Sequence, residues 1–302
     1  MKLNKYPLSD DGLTIFLFHG VVNELNYQIR NYNRKHIEGS YFAALIEDWK
    51  KEGVPLSMDE VVELKTSGKD YPKKSFAITF DDGFANNLLV AAPILASFDV
   101  PAIFYCTTGF IESNSMSWID RIEYLFEESE LPKLRLPWSG VEYSLDTRDS
   151  KISALQDIRA HVKNNSQVDP EAVVSSVFSA VDKPIVFASE DPLDKKLSWE
   201  QVRALDGHPL FQVAGHSHTH AVLSFLDDSR LKQEIATSIE LLRSKAGIES
   251  IHYAYPEGLA HCFDARVIQE LKSCGVRCSP SAIPGINTCK TDLFELRRIM
   301  VT

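Results

Sequence analysis

The tightest constraint on this chain is a recurrence of short apolar runs rich in β-branched and aromatic residues, at 14–18, 75–80, 101–107, 210–214, 251–255 and 277–283. Successive side chains of a strand point to opposite faces, so a run that is apolar throughout has both faces buried, as in a parallel sheet covered by helices. Between these runs, segments 41–52, 85–98, 229–246 and 263–273 carry apolar residues at three- and four-residue spacing, with Ser229 and Asp264 as start signals and Gly247 and Gly275 as stops. The expected class is therefore α/β. Between about 113 and 196 the rhythm breaks: Trp118, a charged helical stretch at 119–130, a turn-rich stretch at 131–140 and helical patterns at 150–162 and 169–181 follow one another. No repeat and no Ser/Gly-rich linker divides the chain, so 113–196 is read as a helical insertion in one barrel-like domain spanning 1–302, a separate small domain being the alternative.

Composition narrows the partners. With 44% hydrophobic residues among 302, the chain can bury one large core or two modest ones, and a net charge of −10 repels phosphate backbones and anionic lipid. Nucleic acid is not an expected partner. No run approaches the roughly 18 apolar residues of a membrane span, and the first residues contain neither a secretory apolar region nor a cleavage site. The five cysteines (Cys106, Cys262, Cys274, Cys278 and Cys289) are odd in number and too sparse for a disulfide framework. The expected location is the cytoplasm.

Chemistry concentrates where two apolar runs end. The first runs into Asp81-Asp82-Gly83, two adjacent carboxylates followed by a residue that permits a sharp turn. In β/α folds, ligands and catalytic groups gather at the carboxyl ends of strands. Capping the next helix accounts for one aspartate, but the other is left beside a like charge at the edge of an apolar core. A bound cation offsets that repulsion. The second run ends in His216, His218 and His220, three imidazoles within five residues and usual ligands for zinc and related divalent metals. A helical turn puts His216 and His220 on one face, whereas an extended segment adds His218.

Together, Thr79-Phe80-Asp81-Asp82-Gly83 and His216-Ser217-His218-Thr219-His220 resemble the paired motifs of the NodB-like polysaccharide deacetylases, carbohydrate esterase family 4. That resemblance implies a distorted (β/α) barrel, a divalent metal (zinc foremost) held by Asp82, His216 and His220, and Asp81 left unliganded as the base. His218 falls on a non-ligand position. A third motif corresponds to Tyr253-Ala254-Tyr255-Pro256-Glu257-Gly258, where Ala254 replaces the family's arginine and Glu257 its usual aromatic residue. The missing arginine leaves Arg297 and Arg298 as candidate partners for Asp81, and strand alternation favours Arg298. The family's late catalytic histidine is also absent, and the poly-N-acetylglucosamine deacetylase branch implies His19, at the end of the first apolar run, as the acid.

The implied reaction is hydrolysis of an N-acetyl group from an acetamido sugar in a polysaccharide or glycan precursor, with the backbone N–H of Glu257 beside the oxyanion. Two competing readings are a hydrolase of cyclic amides or ureides and a barrel that binds acetylated glycan without turnover. Trp118 and Trp138 are candidates to stack on sugar rings, while Trp199 reads as the first turn of an amphipathic helix packed on the barrel.

Overall fold

The computed structural model describes residues 5–130 and 133–302; residues 1–4, part of the stretch read for an export signal, and 131–132 of the turn-rich stretch lie outside them. The chain opens with β1 (Thr14–Phe18), β2 (Gly20–Val22), β3 (His36–Glu38), α1 (Gly39–Glu52), β4 (Val54–Pro55) and α2 (Met58–Thr66). Then come β5 (Ser75–Phe80), α3 (Ala92–Ser97), β6 (Ala102–Cys106) and α4 (Thr108–Ser113). The insertion holds α5 (Trp118–Glu128), the antiparallel pair β7 (Lys133–Arg135) and β8 (Glu142–Ser144), α6 (Arg148–Lys163) and α7 (Pro170–Ala180). The chain rejoins the sheet layer through α8 (Trp199–Asp206), β9 (Phe211–Gly215), α9 (Asp228–Leu241), α10 (Ala265–Ser273) and β10 (Ile299–Met300).

The main sheet is parallel, in the order β10-β1-β5-β6-β9, with β4 also pairing with β5. Its register is marked by an aromatic ladder: Phe18 pairs with Phe80 and Phe80 with Phe104, with ring centroids 5.3 and 4.9 Å apart. Offset aromatic contacts of this length add to plain area burial. The helix-facing side of the ladder meets Phe42 and Trp49 of α1, while the other face packs small residues, Ala77, Ala214 and Ala254, among Ile15, Ile103 and Tyr105. Both faces are thus buried, as the unbroken apolar runs require.

Runs 251–255 and 277–283 are not extended strands. Each keeps single parallel bridges, Gly215 to Tyr253 and His252 to Cys278. Pro256, Pro280 and Pro284 lack an N–H, which stops a ladder from propagating there. Single hydrogen bonds from Ser281 N to Leu296 O (2.8 Å) and Arg298 N to Ile283 O (3.1 Å) link this region to the last segment, so the barrel is distorted and not closed by a continuous ladder. Segment 85–98 likewise divides into a π-helical turn (Asn87–Ala91) and α3.

The insertion builds a second hydrophobic cluster from Ile122 and Phe126 of α5, Leu155 and Ile158 of α6, and Val174 and Phe178 of α7, joined by Ile29 from the segment between β2 and β3. The turn-rich stretch supplies β7, which pairs with β8 just beyond it, and Leu134, Leu136 and Leu145 from this hairpin are buried in the cluster. Trp118 and Trp138 pack against this cluster, and Trp199 packs on the barrel core. No helix among the described residues is long and apolar enough to cross a membrane.

Since Phe80 sits immediately before Asp81 and is fully buried between Phe18 and Phe104, Phe80→Ala is expected to cost about 3–5 kcal/mol in urea unfolding. A loss below about 1 kcal/mol rules the ladder out as what holds this register.

Candidate metal and catalytic centre

At the end of β5 the backbone changes hand. Asp81 still donates its N–H to Phe18 O at 3.0 Å, but Asp82 (φ 76°) and Gly83 (φ 82°) are left-handed. Aspartate tolerates this region better than most residues, and glycine adopts it freely. The reversal sends the two carboxylates to different neighbours. Neither caps a helix: the following turn begins after Asn86 without a side-chain cap.

Asp81 receives Arg298. Two guanidinium nitrogens donate to its two oxygens at 2.8 Å each, while Arg298 Nε donates to Ser281 O at 2.7 Å and Nη1 to Thr79 Oγ1 at 3.2 Å. The arginine is fully buried and its neighbour Arg297 is exposed. β10 lies next to β1 and β1 next to β5, which carries Arg298 to the end of the strand that bears Asp81. Burial pushes the Asp81 carboxyl up, but Arg298 and then His216 outweigh it and hold it below the ordinary carboxylate range. Asp81 is therefore ionised at neutral pH.

Asp82 meets the histidines. Its Oδ1 lies 3.2 Å from His220 Nε2 and 3.6 Å from His216 Nε2, and the three ligand atoms fall within 4.8 Å of one another. Burial disfavours the Asp82 charge, yet His220, His19 and Lys35 overcome that and hold its carboxyl well below the usual value. Burial likewise lowers His220, but Asp82 beside it leaves that imidazole raised. His216, where burial prevails, is lowered.

The histidine segment is set by its surroundings. Gly215 can pass the Tyr253 ring because a Cβ there would come within 2.5 Å of it. His216 pairs Nδ1 with Ala254 O at 2.9 Å, which leaves Nε2 toward Asp82. Such second hydrogen bonds orient metal-binding imidazoles. Ala254, where the family carries arginine, thus contributes its carbonyl. Ser217 (φ 63°) accepts the His220 N–H at 2.8 Å, and Glu234 of α9 accepts from His218 N (2.9 Å), Thr219 N (2.5 Å) and Thr219 Oγ1 (2.9 Å). Sequence reading missed Glu234; its signal is an acid among the apolar positions of an amphipathic helix. His218 turns away, with Nδ1 3.0 Å from Thr108 Oγ1.

Glu257 is left-handed (φ 59°), and its backbone N–H donates to no backbone acceptor among the described residues. Its carboxylate accepts from Lys163 of α6 at 2.5 Å, so the insertion reaches the site. His19 follows β1; its Nδ1 is buried without a hydrogen-bond partner, and burial pushes the ring down to about 4 against the pull of Asp82 and Asp81. It is uncharged at pH 7.

A sequence model for polysaccharide deacetylases matches residues 68–279, more than half of the chain and inclusive of both aspartates and all three clustered histidines. The chain belongs to the polysaccharide deacetylase family. A comparison with curated protein sequences gave no match. Solved structures resemble this family member over nearly its whole length. The deacetylase PplD of Streptococcus pyogenes, in complex with acetate, has a TM-score of 0.60 at 16% identity, covering 97% of this chain and 93% of that one. The BpsB deacetylase domain from Bordetella bronchiseptica has a TM-score of 0.59 at 17% identity, covering 98% of both. IcaB from Ammonifex degensii has a TM-score of 0.60 at 17% identity, covering 98% and 94%. At such identities the likeness speaks to the fold, which for this deacetylase-family chain is a parallel sheet wrapped by helices into a distorted, open barrel.

Burial raises the Glu257 carboxyl, but Lys163, His220 and Arg159 pull it down to about 2 from an ordinary 4.5. A depressed carboxylate contributes stability that is present above the unfolded value and is lost as pH falls through the folded one. Wild-type stability is therefore expected to decline between about pH 4.5 and 2 more steeply than that of Glu257→Gln. Equal slopes in urea titrations across that window exclude this ion pair as a source of acid sensitivity.

Proposed function

We propose that this chain removes an N-acetyl group from an acetamido sugar of a glycan or glycan precursor, using a divalent cation held by Asp82, His216 and His220. The observation that carries the reading is the convergence of three ligand atoms within 4.8 Å beside an Asp81 clamped by Arg298. The donor set fits such an ion: Asp82 Oδ1 is buried, has no hydrogen-bond partner and faces two imidazole Nε2 atoms. One carboxylate and two histidines leave a position open, as catalytic sites require. A divalent ion there supplies Lewis-acid polarisation of the acetamide carbonyl and lowers the pKa of water from about 15.7 toward 7.

The protein's own groups do the rest. Asp81, ionised and 3.8 Å from His216 Nε2, stands beside the ligand cluster and takes the proton from the attacking water. Arg298 fixes both oxygens of that base, so little reorganisation accompanies the transfer. The Glu257 N–H donates to the oxyanion as the acetamide carbon becomes tetrahedral. The amine leaves only with a proton. His19, uncharged at pH 7, accepts the proton that Asp81 took from the water and passes it to the departing nitrogen. Acetate and a free amino sugar result.

Asp82→Asn, which preserves side-chain size, is expected to lose bound metal and acetate release from N-acetylglucosamine oligomers together. Full metal content in that variant removes Asp82 from the ligand set. For His19→Ala the expected change is a fall in kcat of about 10²–10⁴ with metal stoichiometry intact. If cyclic imides are hydrolysed and acetylated sugars are not, the substrate assignment is wrong.

A further inference from the structure

Asp82 turns its oxygens to different partners. While Oδ1 faces the imidazoles, Oδ2 lies 3.8 Å from the ammonium of Lys35, the residue just before β3. That separation is about an ångström longer than a charge-assisted hydrogen bond. Lys35 is instead engaged by Asp120, in the first turn of α5, whose Oδ1 accepts from Lys35 Nζ at 2.8 Å. The other Asp120 oxygen is buried without a hydrogen-bond partner, 4.0 Å from Lys196 Nζ. Lys196 is itself buried, and its ammonium lacks a hydrogen-bond partner and rests 3.6 Å over the Phe84 ring. Its backbone bridges to Phe84 as the chain returns from the insertion, so this cluster is anchored directly behind the Asp81-Asp82-Gly83 turn.

A lysine this near a ligand carboxylate is a competitor for it. An ammonium that closes on a buried carboxylate satisfies the same charge that a metal ion needs, and in a poorly solvated site that attraction is strong. Lys35 has a flexible stem and, at 3.8 Å from Asp82 Oδ2, would need to close by only about 1 Å to form such a pair. We infer that Asp120 is a positioning residue that holds the Lys35 ammonium off Asp82 and so keeps that carboxylate open to a divalent cation. This rests on the metal reading of Asp82, His216 and His220. It gives the insertion a part in the chemistry: α5 withdraws a competing charge from the centre without touching substrate.

The test uses the full chain, stripped with a chelator and titrated with Zn²⁺ against a chromophoric competitor at pH 7, with near-UV circular dichroism to verify folding. Asp120→Asn is expected to weaken Zn²⁺ binding at least tenfold. Lys35→Met should bind as tightly as wild type or more so, and the double variant should return to within about threefold of wild type. Were Asp120 merely structural, the double variant would stay as weak as Asp120→Asn. Unchanged affinity in Asp120→Asn, a tenfold loss in Lys35→Met or no recovery in the double variant each overturns the inference. Should Asp120→Asn not fold, Lys35→Met decides alone, since Asp120 still faces Lys196 there: retained or increased affinity supports the inference and a tenfold loss overturns it. A wild-type chain that takes up no Zn²⁺ overturns the metal reading and this inference together, whereas wild-type binding with the variants out of order overturns this inference alone.

Discussion

Two ionised carboxylates on adjacent residues, both buried at the end of a strand, repel each other in a medium that screens them poorly. The surroundings of Asp81 and Asp82 answer that problem from separate directions. Arg298 meets Asp81 from the β10 side, the two imidazoles meet Asp82 from the β9 side, and Lys35 stands behind Asp82. The left-handed turn at Asp82 makes the division possible by parting the two side chains. Once the charges are parted, the two carboxylates can take separate roles, which in the proposed reaction are proton transfer for Asp81 and cation binding for Asp82.

Much of this was legible in residue order. The runs at 14–18 and 75–80 coincide with β1 and β5, because a strand buried on both faces leaves an unbroken apolar signature. Asp81, Asp82, His216 and His220 stand out since polar clusters directly after such runs are rare. Arg298 illustrates a finer inference: alternation along a strand gives one of two adjacent arginines an inward course, and Arg298 lies on Asp81 while Arg297 is exposed. Lys35, Asp120 and Glu234 were not legible. Lys35 and Asp120 are 85 positions apart in sequence, and each looks like an ordinary solvated charge until the fold buries it. The runs at 251–255 and 277–283 misled for a different reason: apolarity reports burial, while ladder formation also needs N–H groups that the nearby prolines lack.

Near the site, ion pairs join the insertion to the barrel. Asp120 reaches Lys35, Lys163 reaches Glu257, and Arg30 reaches Asp194 as the chain leaves the insertion. Ion pairs of this kind hold specific geometry even where they add little net stability. Where the family's third motif carries an aromatic residue, this chain has Glu257 with a lysine supplied from α6. Glu257 and Lys163 thus form one ion pair drawn from two distant segments of the chain.

Asp82, Ser217, His220 and Glu257 all occupy the left-handed region of backbone space. Their identities consequently serve two masters: the functional group, and a main-chain shape that most side chains resist. Alanine scanning at these sites conflates the two, as a truncated side chain also relaxes or strains the loop carrying it. At these positive φ values the least strained occupants are asparagine, aspartate, histidine and glycine, so Ser217 and Glu257 are held there by their surroundings. The main chain therefore restricts these four positions separately from any chemistry performed there.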